Sequence, residues 1–241
     1  MAGSENHIFH TMSTEDRLIG KGRGRMEEYL RNMGSYWEGR FSGEGRIWGD
    51  EPSNTAVKAL ALFRREQAKN ILVLGSGYGR NTRLFSSAGL AVAGIEISST
   101  AVAAARQFDP LTVHHCLSVT EMSLTPNAYD AIFSFNVLHL FRQPERRLLL
   151  EKCRTVLKPG GVAFFAVFSE QEKSFGKGLE VEPNTFESKP GRPVHYYSEA
   201  DLRQEFGGFA VLECGLTEDR ENHGEEGPHS HVVRYIAVKN G

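Results

Sequence analysis

The sequence predicts a doubly wound α/β fold, a mostly parallel sheet with helices on both faces. Between residues 70 and 168, short runs rich in Val, Ile, Leu and Phe alternate with helix-length stretches. The first of those runs enters a glycine turn that leads into a helix, the local signature of such sheets. With 241 residues and 40% hydrophobic content the chain can bury one substantial core, and a second full domain is not expected.

Residues 1–16 are polar and expected to be loose, and Arg25 to Met33 reads as a helix stopped by Gly34. The next helix starts after Pro52, Ser53 and Asn54; Ala56, Leu60 and Phe63 recur at spacings of four and three, one apolar face for a sheet. There follow strand 71–75, helix 80–88, strand 91–95, helix 99–107, strand 112–117, strand 129–134, helix 145–157 and strand 162–168, then strands at 209–214 and 231–238. Two segments interrupt the pattern. Residues 170–195 are polar and carry Pro183, Pro190 and Pro193, too long for an ordinary connection, and read as an acceptor-site lid over the C-terminal edge of the sheet. Residues 222–231 connect the last two strands. The chain thus divides into a lead-in segment, 1–54, that covers the site, and a domain, 55–241, with a lid-like insertion at about 170–195.

The most informative stretch is Ile71 to Arg80, ILVLGSGYGR. A buried strand runs into Gly75, Gly77 and Gly79, which let the backbone turn sharply and approach a ligand, and the following helix N-terminus offers free N–H groups. Glu96 ends the apolar run from Leu90 to Ile95, about 20 residues on, where an acid accepts hydrogen bonds from ribose hydroxyls. The pattern points to a nucleoside-containing ligand. The glycines are spaced G-x-G-x-G, with Arg80 at the sixth position, which disfavours a dinucleotide.

These residues resemble the class I S-adenosylmethionine-dependent methyltransferases, whose first motif is an apolar strand ending in G-x-G-x-G and whose second is an acid after the next strand. Tyr129 to His139, YDAIFSFNVLH, looks like the fourth strand and active-site turn of that family, and LKPGGV at 157–162 like its turn into strand five. The resemblance covers about residues 55–170. It implies a Rossmann-like seven-stranded sheet with an antiparallel C-terminal strand, and S-adenosyl-L-methionine as cofactor, with Gly75, Gly77, Gly79, Glu96, Ile97 and Asn136 among the cofactor-binding residues. Tyr36-Trp37 to Phe41 and the following Arg46 to Ser53, with Trp48, look like the lead-in of the thiopurine and tellurite-resistance branches, whose aromatics fold over the cofactor. A sulfonium cation is attracted by aromatic faces. The third strand, which in many relatives ends in Asp, here offers Ser118 and the backbone of Val119 to the adenine edge, as in the thiopurine branch. Residues 135–139 lack that branch's usual residues.

The resemblance implies methyl transfer to a small-molecule nucleophile, with sulfur or a heavier chalcogen favoured. If the acceptor must lose a proton, His139 after strand four is the first candidate base and His195, just before the N-cap residue Ser198, the second. The other readings are a non-catalytic S-adenosylmethionine-binding sensor or partner subunit and, more weakly, a nicotinamide oxidoreductase. A formal charge of −2, from 28 basic and 30 acidic residues, leaves no electrostatic footprint for nucleic acid, and Lys21 to Arg25 reads as a solvated basic stretch. No signal peptide or membrane span is evident, so a soluble cytoplasmic protein is expected, with Cys116, Cys153 and Cys214 as buried reduced thiols. His223, Glu225, Glu226, His229 and His231 read as a solvated polar turn rather than a metal site, although His229 and His231 would share a strand face. Sequence leaves the acceptor and the oligomeric state open.

Overall fold

The computed structural model describes residues 14–122, 125–222 and 228–241; side chains before residue 28 and at 222–228 lie outside this description, as do His223, Glu225 and Glu226. The elements are α1 (Thr14–Glu44), α2 (Asn54–Arg65), β1 (Asn70–Leu74), α3 (Arg80–Ser87), β2 (Ala91–Glu96), α4 (Ser99–Phe108), β3 (Val113–Cys116) and β4 (Tyr129–Phe135). A 3-10 turn (Leu138–Leu140) precedes α5 (Gln143–Val156), β5 (Leu157–Phe168), β6 (Leu179–Glu182), β7 (Thr185–Glu187), β8 (Val194–His195), α6 (Glu199–Glu205), β9 (Ala210–Asn222) and β10 (Pro228–Lys239).

Seven strands form one sheet in the order β3-β2-β1-β4-β5-β10-β9. Those from β1 to β5 are parallel, and β10 runs antiparallel to both neighbours. The expected Rossmann-like sheet is therefore present. Strands β1 and β4 are buried on both faces, which is why they read as nearly continuous apolar runs. Alternate side chains go to opposite layers: Leu72, Leu74 and Ile132 pack under α5 and α6, while Ile71, Val73 and Phe133 pack with Phe63 of α2 and Phe85 of α3. The chain winds outward both ways from β1 and β4, and this reversal leaves a crevice at their C-terminal ends.

Serines cap three of the helices. The Oγ of Ser53, Ser98 and Ser198 accepts from the N–H of Ala56, Ala101 and Asp201, each at 3.1 Å. A carboxylate from the far edge of the sheet joins the first cap: Asp219 of β9 accepts from the N–H groups of Asn54 (2.9 Å) and Thr55 (3.2 Å).

Three sequence expectations, on Gly34, the last connection and the thiols, are corrected, and the insertion gains a definite structure. Gly34 does not end the first helix; α1 continues to Glu44, and a Cβ at Gly34 would stand 3.4 Å from Ile97 Cδ1, so the small residue allows close approach to the sheet edge. The connection expected after residue 214 is a long β-ribbon, paired from Ala210↔Lys239 to Asn222↔Pro228. Its outer half reads as polar because β10 runs beyond β5, whose pairing starts at Val233↔Phe168. The 170–195 insertion is itself structured, as the three-stranded sheet β6-β7-β8. Among the thiols Cys153 is buried, Cys214 partly so, and Cys116 exposed.

Gly75 sits at φ +64, and a Cβ there would lie 2.2 Å from Cγ2 of Val137. Gly75→Ala is therefore expected to lower stability by roughly 2–4 kcal/mol, from strain and overpacking together. A thermal or urea melt within about 0.5 kcal/mol of the parent would contradict this placement of the turn.

Candidate active site

The crevice opens into a cleft with about 930 Å³ of empty space, part of it open to solvent. Its floor is the glycine turn and the end of β2. Glu96 is buried, and its carboxylate accepts from the N–H of Gly77 (3.0 Å) through Oε2 and of Ser98 (2.9 Å) through Oε1. Burial raises the Glu96 pKa, and these N–H groups oppose that shift by favouring the charged form. Ile97, Ser118 and Val119 form one side wall. The Ser118 hydroxyl is already engaged by Thr120, at 2.8 Å from its Oγ1.

Asn136 lies at the mouth of β4 with φ +56, a left-handed conformation that asparagine tolerates. Its Oδ1 is buried and has no hydrogen-bond partner among the described residues.

The roof is aromatic. Trp37 and Phe41 descend from α1 and meet Trp48, with ring centroids 6.1 Å apart for Trp37 and Trp48 and 5.8 Å for Phe41 and Trp48. Tyr78, between the last two glycines of the turn, stacks on Trp48 at 6.2 Å. The Tyr78 hydroxyl donates to the Gly49 carbonyl (2.6 Å) and accepts from the Trp48 N–H (3.1 Å), and burial pushes its pKa up to about 12. Helix α1 is held over the cleft by polar contacts as well. Tyr29 donates to the Leu140 carbonyl, and Glu38 accepts from Ser98 Oγ at 2.8 Å and from Thr100 Oγ1.

Those hydroxyl bonds bring the Glu38 carboxyl down to about 2. A depressed carboxylate stabilises the docked helix fully above its unfolded pKa, and that contribution is lost as pH falls from about 5 toward 2. Trp37 and Trp48 are the only tryptophans in the chain, so their emission should report acid-driven undocking in that window. In Glu38→Gln the docking contribution should no longer vary with pH; an unchanged acid profile would remove Glu38 from this role.

Phe135, Val137, Leu140 and Phe141 also line the cleft, as do Arg80 and Glu221. Arg80 Nη2 lies 2.5 Å from Glu221 Oε1 in a buried ion pair, and its guanidinium is 5.4 Å from the Phe135 ring and 5.8 Å from that of Trp48.

Of the residues expected from sequence, Trp37, Trp48, Gly75, Gly77, Glu96, Ile97, Ser118, Val119 and Asn136 line this cleft together. Three do not. Gly79 caps α3 from outside the lining, where a Cβ would meet Ala105 of α4 at 3.4 Å. His139 is buried beneath the 3-10 turn, stacked on Phe168 at 4.3 Å, its Nδ1 accepting from the Phe168 N–H at 3.3 Å. Burial, with smaller effects from His231 and His195, drops its pKa to about 3. His195 is fastened at both nitrogens, Nε2 to Asp201 Oδ2 at 2.7 Å and Nδ1 to Thr185 Oγ1 at 2.8 Å. Neither histidine reaches the cleft, so the geometry does not support either as its base. His139→Asn is accordingly expected to change turnover less than about fivefold and to leave its pH profile in place; a loss of 10²-fold or more at unchanged stability would restore the base role.

No residue of the insertion lines the cleft, but Arg192 lies over the Tyr36 ring of α1, 3.4 Å from its centroid. Sequence reading missed Tyr78, Arg80, Phe135, Phe141 and Glu221 as parts of the wall. An aromatic inside the glycine turn was a visible signal for Tyr78. For Glu221 there was none, because its position depends on the unforeseen length of the β9–β10 ribbon.

Residues 72–165, which span the glycine turn, Glu96 and the turn after β4, match a family described as Methyltransferase domain. A ubiquinone biosynthesis O-methyltransferase of Paraburkholderia xenovorans (strain LB400) is 30% identical over 112 residues, 44% of this chain. The match covers 47% of that protein, so the chain spans about half the length of this relative. Among solved structures, the magnesium protoporphyrin IX methyltransferase of Synechocystis with bound S-adenosylhomocysteine has a TM-score of 0.66 at 17% identity, over 88% of this chain and 100% of that one. TehB of Haemophilus influenzae has a TM-score of 0.61 at 16% identity, over 85% and 67%. At these identities the structural likeness speaks for the fold. Among the described residues no helix is long and apolar enough to cross a membrane.

Proposed function

We propose that the chain is a class I S-adenosylmethionine-dependent methyltransferase acting on a small-molecule nucleophile in the cytoplasm. One observation carries the reading: a buried carboxylate at the end of β2, tied to the glycine turn, forms the floor of a cleft roofed by two tryptophans. The family match over the same residues and the curated relative support it.

The residues present fit the cofactor. Glu96 keeps acceptor capacity for a ribose diol beyond the two N–H groups it already holds. Ile97 and Val119 offer apolar surface to a base, and the unpartnered Oδ1 of Asn136 would accept from the ammonium group. S-adenosylmethionine supplies a methyl group already activated by a sulfonium. The chain has to hold the acceptor about 3 Å from that carbon, in line with the departing sulfur, and to keep water out. Trp37, Phe41, Trp48 and Tyr78 close that space with ring faces that also attract a cation.

The acceptor side offers little general-base chemistry. Among the described residues the titratable groups that line the cleft are Glu96, Glu221, Arg80 and Tyr78; Glu221 is paired with Arg80, and the high pKa of Tyr78 keeps it protonated. An acceptor that brings its own nucleophile suits this wall. A thiol, ionising near 8.5, does so at neutral pH far better than a phenol near 10, which favours sulfur or a heavier chalcogen. Release of S-adenosylhomocysteine should therefore be fastest with thiols or reduced chalcogen compounds in a panel that also holds amines and phenols. Turnover with amines or phenols alone would reject the acceptor class, and tight cofactor binding without any turnover would favour a sensor or partner subunit. In a tryptophan-emission titration, S-adenosylhomocysteine should shift the signal and NADPH should not, since Glu96 repels a 2′-phosphate.

A further inference from the structure

Strand β10 overhangs the end of β5, and the overhang carries two histidines. His229 and His231 occupy positions i and i+2, so they share one face of the strand, and their rings lie 4.6 Å apart. A carboxylate from a different element meets them. Glu172, in the turn after β5, is buried; its Oε2 accepts from the Val232 N–H at 2.7 Å and its Oε1 lies 3.2 Å from His231 Nδ1. One ligand atom from each of Glu172, His229 and His231 falls within 4.8 Å of the other two. A second carboxylate is close, with Glu221 Oε2 at 3.7 Å from His231 Nε2.

We infer that Glu172, His229 and His231 form a binding site for a late first-row divalent cation, zinc foremost, with Glu221 at its edge. Two imidazoles and one carboxylate are the donor set of three-ligand zinc sites that keep a position open. Ligand atoms around a tetrahedral zinc stand about 3.3 Å apart, from bond lengths near 2.0–2.1 Å, so atoms within 4.8 Å of one another have at most about 1.5 Å to close on binding. The backbone is prepared for it: Glu172 is fixed by the Val232 N–H, and Phe168 stacks on His231 at 4.9 Å, two contacts that orient the ligands. Harder cations are disfavoured, since magnesium and calcium select oxygen donors.

The site adjoins the cleft through one residue. Glu221 pairs in register with His229, approaches His231 through Oε2 and holds Arg80 at the cleft wall through Oε1. The second cluster of comparable make-up, His195 with Asp201 and Glu205, serves as the comparison.

The test uses the full-length, untagged, chelator-stripped chain and the metal alone. Titration with Co2+ followed by its visible absorption, then competition with Zn2+, should show one site per chain with a zinc Kd below about 1 µM. His231→Ala should weaken it at least 100-fold and Glu172→Gln at least tenfold, while Asp201→Asn should leave it unchanged. A parent Kd above 10 µM, or a change of less than tenfold in a His231→Ala protein whose melt shows it folded, overturns the site. Should His231→Ala not fold, His229→Ala answers the same question by the same thresholds. No step of this experiment requires methyl transfer, so its failure and that of the proposed activity are read separately.

Discussion

Replacing Glu96 by alanine is expected to weaken S-adenosylhomocysteine binding by at least about 2 kcal/mol, roughly thirtyfold, since hydrogen bonds to a charged group are each worth about 1.5–3 kcal/mol. The carboxylate serves two masters. On the proposed function it would offer acceptors to the ribose, and it already accepts from Gly77 and Ser98, so its loss also leaves two backbone N–H groups without their partner. Stability should fall less than affinity, because removing a carboxylate whose charge is disfavoured by burial offsets part of the lost bonding. Glu96→Gln, which keeps one acceptor and loses the charge, should fall between parent and alanine. Calorimetry with a parallel melt separates the two quantities. If Glu96→Ala bound S-adenosylhomocysteine within threefold of the parent, the nucleoside would have to sit elsewhere in the cleft.

The parts of this site that were legible in the sequence share a physical reason. Strands β1 and β4 are covered on both faces and so appear as apolar runs, and a turn that must pass over them between backbone and ligand appears as glycines. Glu96 was legible because a buried acid at a strand end needs a purpose. Where reading failed, the side chain's direction depended on geometry that composition does not encode. The turn after β4 presents Asn136, Val137, Leu140 and Phe141 to the cleft and tucks Leu138 and His139 underneath, an alternation set by its helical twist. A histidine next to the cleft-lining turn after β4 thus became a neutral buried ring. Gly34 misled in the opposite sense, since a glycine in mid-helix costs only about 1 kcal/mol and here admits Ile97. Arg80 and Glu221 are brought together across 141 positions of chain by a ribbon whose outer half looks like a polar loop.

Helix α1 is where cofactor binding and chain order should be coupled most strongly. Its contacts with the rest of the protein include aromatic packing by Trp37 and Phe41, the close approach at Gly34, the Tyr36 ring under Arg192, and polar bonds from Tyr29 and Glu38, several of them to cleft residues or their immediate neighbours. Among the described residues the two large core clusters have no buried member before Ala56, and only the partly buried Tyr29 and Leu30 pack against the first of them, so the sheet and its helices are expected to fold without this segment. A shortened chain starting at Asp50 is therefore expected to fold with a lowered Tm, having lost Phe41 and Ile47 from the third cluster and Trp37 and Trp48 from its border, together with the buried Met33. It should bind S-adenosylhomocysteine at least about 100-fold more weakly, since the roof and the docking surface for Ile97 both leave with it. In the full chain, trypsin cleavage after Arg31 and Arg40 should slow at least tenfold when S-adenosylhomocysteine is present, because a ligand that contacts the docked helix stabilises the docked state by mass action. Equal cleavage rates with and without cofactor, together with full affinity in the shortened chain, would leave Trp37 and Trp48 as packing residues and move closure of the cleft to another element.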